Sequence, residues 1–394
     1  MEYLSAGSGL LLQFLLILHS IAFLIYLVFT IGHLVATPIV EIISPKWSIV
    51  SGLVGYAMFE AAFLWMNEYF LYFSAACAGF SGSCEIVYYG RVSLTISLKT
   101  VNLILWIGTR QIYGVYPKYR KLIFGGSYLL ILYRFQTGNE FQMPLIRLVV
   151  GSFLGCTLIS ILIGFFLPKP VFKAEKYKIP YFKHLAEIAK ISFDRNLLFL
   201  LFTFLYTGME LSFFSFVFPT MVSFTKALGN TRDLNACASI FVGIGNVSGC
   251  FALSALGARV REIGRKKMVL LAAILHMTCF LLSPYIVLIC GFLLGVGDTI
   301  FNQQCYTILS DIYEHDKRIE AFAVYRFYQS AASCVVMFYS AHALLKTHII
   351  VLSTFCILAT VTFFGIRVPE KYPASPSSEM LEVKESEESK SMIY

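Results

Sequence analysis

Four ionisable side chains lie inside long apolar stretches of this chain, where each is costly to bury. An ionisable group at the middle of a membrane span costs at least about 2.5–3.5 kcal/mol on insertion scales. Side chains of this kind indicate either a polar pathway for a solute or protons, or a closed ion pair that fixes helix register. They are Glu60 (segment 48–66), Glu210 (segment 196–224), Asp298 (segment 285–312) and Arg326 (segment 320–345).

Amide side chains accompany two of these residues. Asn302 follows Asp298 by one helical turn on the same face, Gln329 follows Arg326 by about one turn, and Gln304 lies in the segment of Asp298. Neighbouring helices could bring Asp298 and Arg326 within hydrogen-bonding reach. The sequence therefore predicts a pair in which Asp298→Asn and Arg326→Gln each lower expression while the double substitution restores it. For this pair the pathway and the closed ion pair both remain open, whereas Glu210 favours the pathway.

The most specific local pattern is a charged loop between two apolar segments, residues 257–267. We expect its first glycine to end one span and its second to allow a tight reversal. Basic residues at the membrane edge would then anchor neighbouring helix ends through charge pairs and helix termini. The residues that carry this pattern are Gly257, Arg261, Gly264, Arg265 and Lys266.

The composition places these residues in a membrane protein. The chain has 394 residues, of which 58% are hydrophobic and 14% charged, against roughly 45–50% and about 25% in soluble domains. Its mean hydropathy is +0.73. So few charged residues cannot cover the surface of a soluble protein of this size. The composition therefore excludes a soluble enzyme, a disordered scaffold and a disulfide-stapled secreted module.

Charge and motifs narrow the function further. The net charge of +8 is concentrated in a few loops, which indicates cytoplasmic loops and excludes nucleic-acid binding. The spans contain no His-Glu-x-x-His, Gly-x-Ser-x-Gly or paired-Asp motif, and the ten cysteines show no Cys-x-x-Cys pair. The sequence therefore predicts no catalytic residue, no metal site and no cofactor; its certain partner is the lipid bilayer.

At about 20 residues per span, a chain of this length accommodates ten to twelve membrane helices, and the apolar stretches predict an all-α protein with about 11–12. In the first half the expected spans are 20–43, 48–66, 69–96, 122–137 and 144–167, with a short apolar insert at 101–107. In the second half they are 196–224, 234–257, 268–282, 285–312, 320–345 and 348–367. The predicted domains are an N-terminal bundle of five or six spans (1–168), a basic cytoplasmic loop with an amphipathic helix (169–195), a C-terminal bundle of six spans (196–367) and a disordered cytoplasmic tail (368–394).

Lys and Arg set the expected orientation. They collect in the loops 169–190 and 258–267, and two spans separate these loops, so both can face the cytoplasm. The span count carries the tail after Val368 to the same side. Cysteine labelling at Lys176 and Lys267 tests this orientation, because labelling of either from outside intact cells would contradict it.

The charged loop resembles the signature loop of the major facilitator superfamily, and its place between the second and third spans of the second half agrees with that superfamily. Residues 196–345 further resemble the UNC-93-like branch. The stretches that carry this resemblance are Tyr206-Thr207-Gly208-x-Glu210 with Phe213-Phe214, Ile240-Phe241-Val242-Gly243-Ile244-Gly245, Leu293-Leu294-Gly295-x-Gly297-Asp298-x-x-Phe301-Asn302-x-Gln304, Ala321-Phe322-Ala323 and Arg326-Phe327-x-Gln329-Ser330.

The resemblance implies a two-bundle, major-facilitator-type fold and a solute transporter working by alternating access, with a small solute or coupling ion as its ligand. It also implies an alternative to this leading interpretation, a non-transporting regulatory or trafficking subunit of an ion channel, such as a potassium channel, or of another membrane protein. It does not distinguish a plasma membrane from an endolysosomal location.

The first half departs from the family pattern. Ala36-Thr37-Pro38, followed by Ser44-Pro45, resembles the family's second helix and the turn after it. Only about twenty residues then remain for a first helix. We therefore expect a first half that is divergent or shortened by its first span.

Overall fold

The computed structural model describes residues 20–36, 39, 43, 45–65, 67–98, 143–166, 181–224, 232–282, 286–313, 315–340 and 343–366. All regular secondary structure in these ranges is helical, which confirms the all-α prediction. The helices are α1 (Ser20–Ala36), α2 (Pro45–Trp65), α3 (Glu68–Leu98), α4 (Met143–Phe166), α5 (Tyr181–Ser192), α6 (Arg195–Ser212), a π-helical turn (Phe213–Val217), α7 (Phe218–Phe224), α8 (Arg232–Ile263), α9 (Arg265–Leu282), α10 (Val287–Ile312), α11 (His315–Ser340) and α12 (Leu345–Phe364).

In the first half, α2 and α3 form a helical hairpin, and α4 packs on α2. The turn of the hairpin is set by Asn67, whose Oδ1 accepts a hydrogen bond from the N–H of Phe70 at 3.1 Å. A side-chain oxygen in this position satisfies a donor that the start of a helix leaves free. Helix α1 is described from Ser20 to Ala36, within the predicted span 20–43, and residues 37, 38 and 40–42 of that span lie outside the described residues. The predicted span at 122–137 and the insert at 101–107 lie outside the described residues.

The second half is built around one apolar core that is shared by α5–α12 and also includes Ala22 of α1. Its most intimate contact is between α8 and α10. A Cβ atom at Gly245 would overlap the backbone carbonyl of Phe292, and one at Gly295 would overlap that of Val242. Small residues at these positions let the two helix backbones approach closely, as in other membrane helix pairs.

Helix α6 continues into α7 through the π-helical turn rather than as one regular helix. Pro219 follows the turn by two residues, and a proline lacks an N–H and crowds the carbonyl four residues before it, which here belongs to Ser215. The wider π turn relieves this conflict. The irregular backbone begins three residues after Glu210, so it bears on the position of that side chain.

The charged loop is shorter than its sequence predicted. Gly257 does not end a span, because α8 continues through it and through Arg261 to Ile263. The reversal is confined to Gly264, which has φ of +88°. This left-handed conformation suits a residue without a Cβ atom, so the single glycine at 264 separates α8 from α9.

The surface of the helices is apolar where lipid would cover it. Among the described residues, four helices are long and apolar enough to cross a membrane: Trp47–Trp65, Arg195–Val217, Cys237–Leu256 and Leu345–Phe364. Exposed apolar side chains recur at helical spacing on the outer faces, for example Leu158, Ile159, Leu162, Ile163 and Phe166 on α4. A soluble surface does not carry stripes of this extent. The chain is therefore a multi-pass membrane protein.

Candidate functional site

Glu210 belongs to a fully enclosed cluster with a histidine and a tyrosine. The His276 Nε2 on α9 lies 3.0 Å from the Glu210 Oε1 on α6, and both side chains are 0% exposed. The hydroxyl of Tyr206, one turn before Glu210, lies 2.6 Å from the His276 Nδ1, and the Leu294 carbonyl on α10 lies 3.3 Å from the Nε2. Both oxygens beside Nε2 are acceptors, so we assign the proton to Nε2 and the Tyr206 hydroxyl as the donor to Nδ1.

Aromatic rings and a glycine hold the imidazole in place. The ring of Phe301 stacks on His276 at a centroid separation of 5.5 Å and an interplanar angle of 26°, and Phe280 lies on another side at 6.3 Å. A Cβ atom at Gly297 would overlap the Nε2 of His276. The imidazole therefore occupies the space that the missing side chain of Gly297 leaves against α10.

A second polar network joins α10 to α11. The Nδ2 of Asn302 donates to the Asp298 Oδ1 at 2.6 Å and to its backbone carbonyl at 2.8 Å. The Oδ1 of Asn302 accepts from the Tyr325 hydroxyl at 2.7 Å and from the Gln329 Nε2 at 3.2 Å. The Nη1 of Arg326 donates to the Gln329 Oε1 at 2.6 Å. Asn302 and Gln329 therefore connect the acid to the cation through hydrogen bonds.

Arg326 is only half-buried, and it lies on α11, which shares a cavity with Leu34 of α1. Its guanidinium carbon is 5.2 Å from the ring centroids of both Tyr306 and Tyr325, which is a favourable arrangement for a cation. The positive charge of Arg326 also disfavours protonation of His33 on α1. A cavity of about 240 Å³ opens between α1, α5 and α11 beside Val324, Phe327 and Tyr328. The helix that carries Arg326 thus borders the junction between α1 and the second half.

The other sequence-predicted residues lie apart from these two clusters. Gln304 is buried on α10, one helical turn past Ile300. Glu60 is buried on α2 in the first half, so the structure does not bring it together with Glu210 or Asp298 through the contacts described above. Among the residues the structure describes, no group of three or more His, Cys, Asp or Glu side chains could hold a metal ion.

Three contacts tie helix ends together at one end of the second half, which we name the charged edge. Arg265 at the start of α9 forms an ion pair with Asp311 near the end of α10. The Nζ of Lys266 donates to the backbone carbonyl of Phe364, the last residue of α12, at 2.9 Å. The Tyr313 hydroxyl after α10 donates to Asp194 before α6. Of the predicted loop residues, Gly257 and Arg261 lie within α8, and Gly264 forms the turn.

Sequence reasoning missed His276, His33 and Tyr325 as members of these clusters. Each is a single residue in an apolar helix and forms no motif by itself. A usable signal existed for His276, because a histidine near the middle of an 18-residue apolar helix needs a polar partner. Its partner Glu210 is 66 positions away along the chain, which no local spacing rule could reveal.

Solved structures with a similar fold are membrane transporters. One is the nucleoside transporter NupG (D323A mutant), with a TM-score of 0.63, 13% sequence identity, and coverage of 88% of this chain and 91% of that chain. Another is the proton:xylose symporter XylE, with a TM-score of 0.64, 13% identity, and coverage of 90% and 86%. At this level of identity the likeness shows the major facilitator fold alone.

Curated relatives include the UNC93-like protein MFSD11 of Xenopus tropicalis, 32% identical over 203 residues, and that of Xenopus laevis, 31% identical over 203 residues. The match covers 45% of this chain and 45% of each relative's length. The sequence profile described as "Ion channel regulatory protein UNC-93" matches residues 18–284 and 280–364. This profile matches most of the length of the chain, and the chain has a major facilitator fold. The chain therefore belongs to the UNC-93 family.

Proposed function

We propose that the chain is a solute transporter working by alternating access, in which the Asp298–Asn302–Gln329–Arg326 network lines the solute pathway. The observation that carries this proposal is the half-buried Arg326, which is held by Gln329 and lies between Val324 and Phe327, two residues that line a cavity together with Leu34 of α1. A transporter of two bundles places its solute at their junction. Hydrogen-bonding amides, a cation and two tyrosine rings offer a small polar solute both donors and apolar faces.

The closed cluster of Glu210, His276 and Tyr206 has a separate role in this proposal. Its groups are sealed from solvent, so no solute reaches them in this conformation, but a proton can be held by the carboxylate or the imidazole. We assign the cluster to proton coupling. The solved neighbours include a D-xylose-proton symporter and the E. coli fucose:proton symporter, which is support by analogy of fold.

The orientation expected from the sequence is part of the proposal. The charged edge joins the end of α10, the starts of α6 and α9, and the end of α12. Asp194, immediately before α6, and the turn at Gly264 therefore lie at the same end of the helices. We propose that this end is cytoplasmic, with the division into two bundles at the 169–195 loop.

The test is a thermal-stability screen of the purified full chain in lipid against small polar solutes, starting with sugars and nucleosides because the solved neighbours carry them. A bound solute stabilises the state that binds it. We expect a concentration-dependent shift that Arg326→Gln and Asn302→Ala abolish while the proteins stay monodisperse. The matched control is Thr354→Ala on the exposed face of α12, where the hydroxyl bonds only its own helix.

Glu210→Gln separates coupling from solute binding. Gln keeps the shape and hydrogen bonding of Glu but cannot take up a proton at physiological pH. We expect the variant to accumulate and to bind solute while transport driven by a proton gradient is lost. Degradation of the variant would instead assign Glu210 to folding alone.

A second candidate function is a regulatory or trafficking subunit of an ion channel or another membrane protein. It is favoured by the description of the matching family as ion channel regulatory proteins. This function predicts that the chain copurifies with a membrane partner at fixed stoichiometry after crosslinking, and that no solute shifts its stability. That pair of results would overturn the transporter proposal.

A further inference from the structure

A cavity of about 420 Å³ lies at the charged edge, outside both polar clusters. Its polar wall is the first turn of α9, with Arg265, Lys266 and Lys267. Its apolar wall is formed by Ile308 of α10 together with Phe363 and Ile366 at the end of α12. A cavity with a cationic rim and an apolar floor at the end of membrane helices matches the two parts of an anionic phospholipid, its charged headgroup and its apolar acyl chains.

The positive charge of this rim is only partly balanced. Asp311 pairs with Arg265 through Nη2, while the buried Nη1 of Arg265 has no hydrogen-bond partner. Lys266 uses one of its donors on the Phe364 carbonyl, and Lys267 makes no hydrogen bond or ion pair among the described residues. The first turn of α9 contains no acidic side chain. Cationic side chains at a helix N-terminus are repelled by the positive end of the helix dipole. An anion bound there would therefore neutralise the side chains and also interact favourably with the dipole.

The apolar surface continues from the cavity along the membrane-facing side of the protein. On α9, Leu270, Leu271 and Ile274 are exposed at helical spacing from Lys267, and on α12 so are Leu358 and Val361. Helices α9 and α12 pack against each other, so these exposed side chains lie on neighbouring helices. The exposed apolar residues of the two helices extend over several helical turns, which suits an acyl chain, whereas a free phosphate would need only the rim.

We propose that this cavity binds the headgroup of an anionic glycerophospholipid, with its acyl chains against the exposed apolar side chains of α9 and α12. The phosphate bonds the free donors of Arg265 and Lys266 and the ammonium of Lys267. The proposal does not depend on transport, since it concerns a different surface and is tested by binding.

The test is native mass spectrometry of the purified full chain in detergent, titrated with phosphatidylglycerol or with phosphatidylcholine. We expect one retained phosphatidylglycerol per chain, with affinity lowered about tenfold or more in Lys266→Gln/Lys267→Gln and unchanged in the charge-retaining Lys266→Arg/Lys267→Arg. Lys190→Gln/Lys317→Gln is the matched control, because it removes the same charge from exposed positions that do not line the cavity. The single variant Lys267→Gln disrupts no described contact. It tests the proposal if the double variant fails to fold.

Three results would overturn the proposal. Equal weakening by the control pair would mean diffuse attraction of anionic lipid to a basic surface. Equal retention of phosphatidylcholine would mean that the cationic rim plays no part. Displacement of the lipid by millimolar inorganic phosphate would mean a site for a free anion rather than for a lipid.

Discussion

The closed cluster of Glu210, His276 and Tyr206 and the polar network between Asp298 and Arg326 meet on one helix. They differ in how deeply their side chains are buried. On α10, Phe301 stacks on His276 of the closed cluster, and the next residue, Asn302, accepts hydrogen bonds from Tyr325 and Gln329 of the network. Glu210 and His276 are 0% exposed, while Arg326 and Asn302 are half-buried. One helix thus contributes to a sealed polar site and to a second polar site in which Asn302 and Arg326 are half-buried.

This difference in burial predicts that similar substitutions in the two regions lower the stability of the protein by different amounts. A charged group sealed among aromatic rings cannot be rehydrated when its partner is removed, so the loss appears as instability. A half-buried cation over two tyrosine rings can turn to water or to a solute, so its loss appears mainly in binding. The loss of thermal stability after substitution should therefore show which of the two regions stabilises the fold.

The largest effect is expected for Glu210→Ala. It removes the partner of an enclosed imidazole and leaves a cavity, and breaking a buried pair costs about 3–5 kcal/mol. Thermal unfolding of the purified protein in detergent measures the loss. The control is Glu187→Ala on α5, a partly exposed carboxylate, for which we expect a change within about 0.5 kcal/mol. If the two variants unfold alike, Glu210 is solvated in a state other than the one described.

Gly297→Ala should destabilise through the same cluster by packing alone. The new methyl group would overlap His276, whose ring cannot retreat because Phe301 and Phe280 enclose it. Overpacking of this kind costs about 1–3 kcal/mol. Gly155→Ala on α4 is the matched control, since a Cβ atom there meets no neighbour within 4 Å; it should be neutral or stabilising by about 0.5–1 kcal/mol. A stable Gly297→Ala variant would contradict the placement of the imidazole.

The network predicts a smaller and indirect coupling between Asp298 and Arg326. A double-mutant cycle with Asp298→Asn and Arg326→Gln should give a coupling of about 1–2 kcal/mol in unfolding free energy. Because Asn302 and Gln329 connect the two residues, repeating the cycle in an Asn302→Ala background should remove most of it. Coupling that survives Asn302→Ala would mean a direct ion pair, as the sequence alone predicted.

Much of the helical framework follows from the sequence, because apolar length and capping residues are local. The turn at Asn67, the amphipathic helix at Tyr181–Ser192 and the boundaries of α4 agree with the prediction within a residue or two. Gly257 shows the limit of this reasoning, since a glycine inside a long helix and a glycine at its end look alike in sequence. Only the positive φ of Gly264 identifies the turn.

The candidate site is harder to predict from the sequence than the helices are, because its contacts join helices that are far apart in the chain. The network members on α10 and α11 were predicted from the cost of burying each charge, which is a property of single residues. The partner of Glu210 could not be predicted in that way, since His276 reaches it only through the packing of α6 against α9 and α10. The π turn after Glu210 likewise depends on Pro219 and on neighbouring helices.

The smallest effect is expected at the charged edge, for Tyr313→Phe. This change removes the hydrogen bond that the Tyr313 hydroxyl donates to Asp194, and we expect a loss of about 0.5–1 kcal/mol at this partly exposed contact. Burial, and then the hydrogen bond to Asp194 and its negative charge, raise the pKa of Tyr313 above its usual value of 10.0.

A raised pKa means that the folded protein holds this proton more tightly than the unfolded chain does. The stabilisation from Tyr313 is therefore complete below about pH 10 and declines as the pH rises above it. Thermal unfolding between neutral pH and about pH 11 should show a steeper decline for the native chain than for Tyr313→Phe. The control is Tyr69→Phe, which changes a tyrosine that is 87% exposed and should leave the decline unaltered. Identical alkaline profiles for the native chain and Tyr313→Phe would mean that Asp194 does not hold this hydroxyl, and that the start of α6 is free of α10.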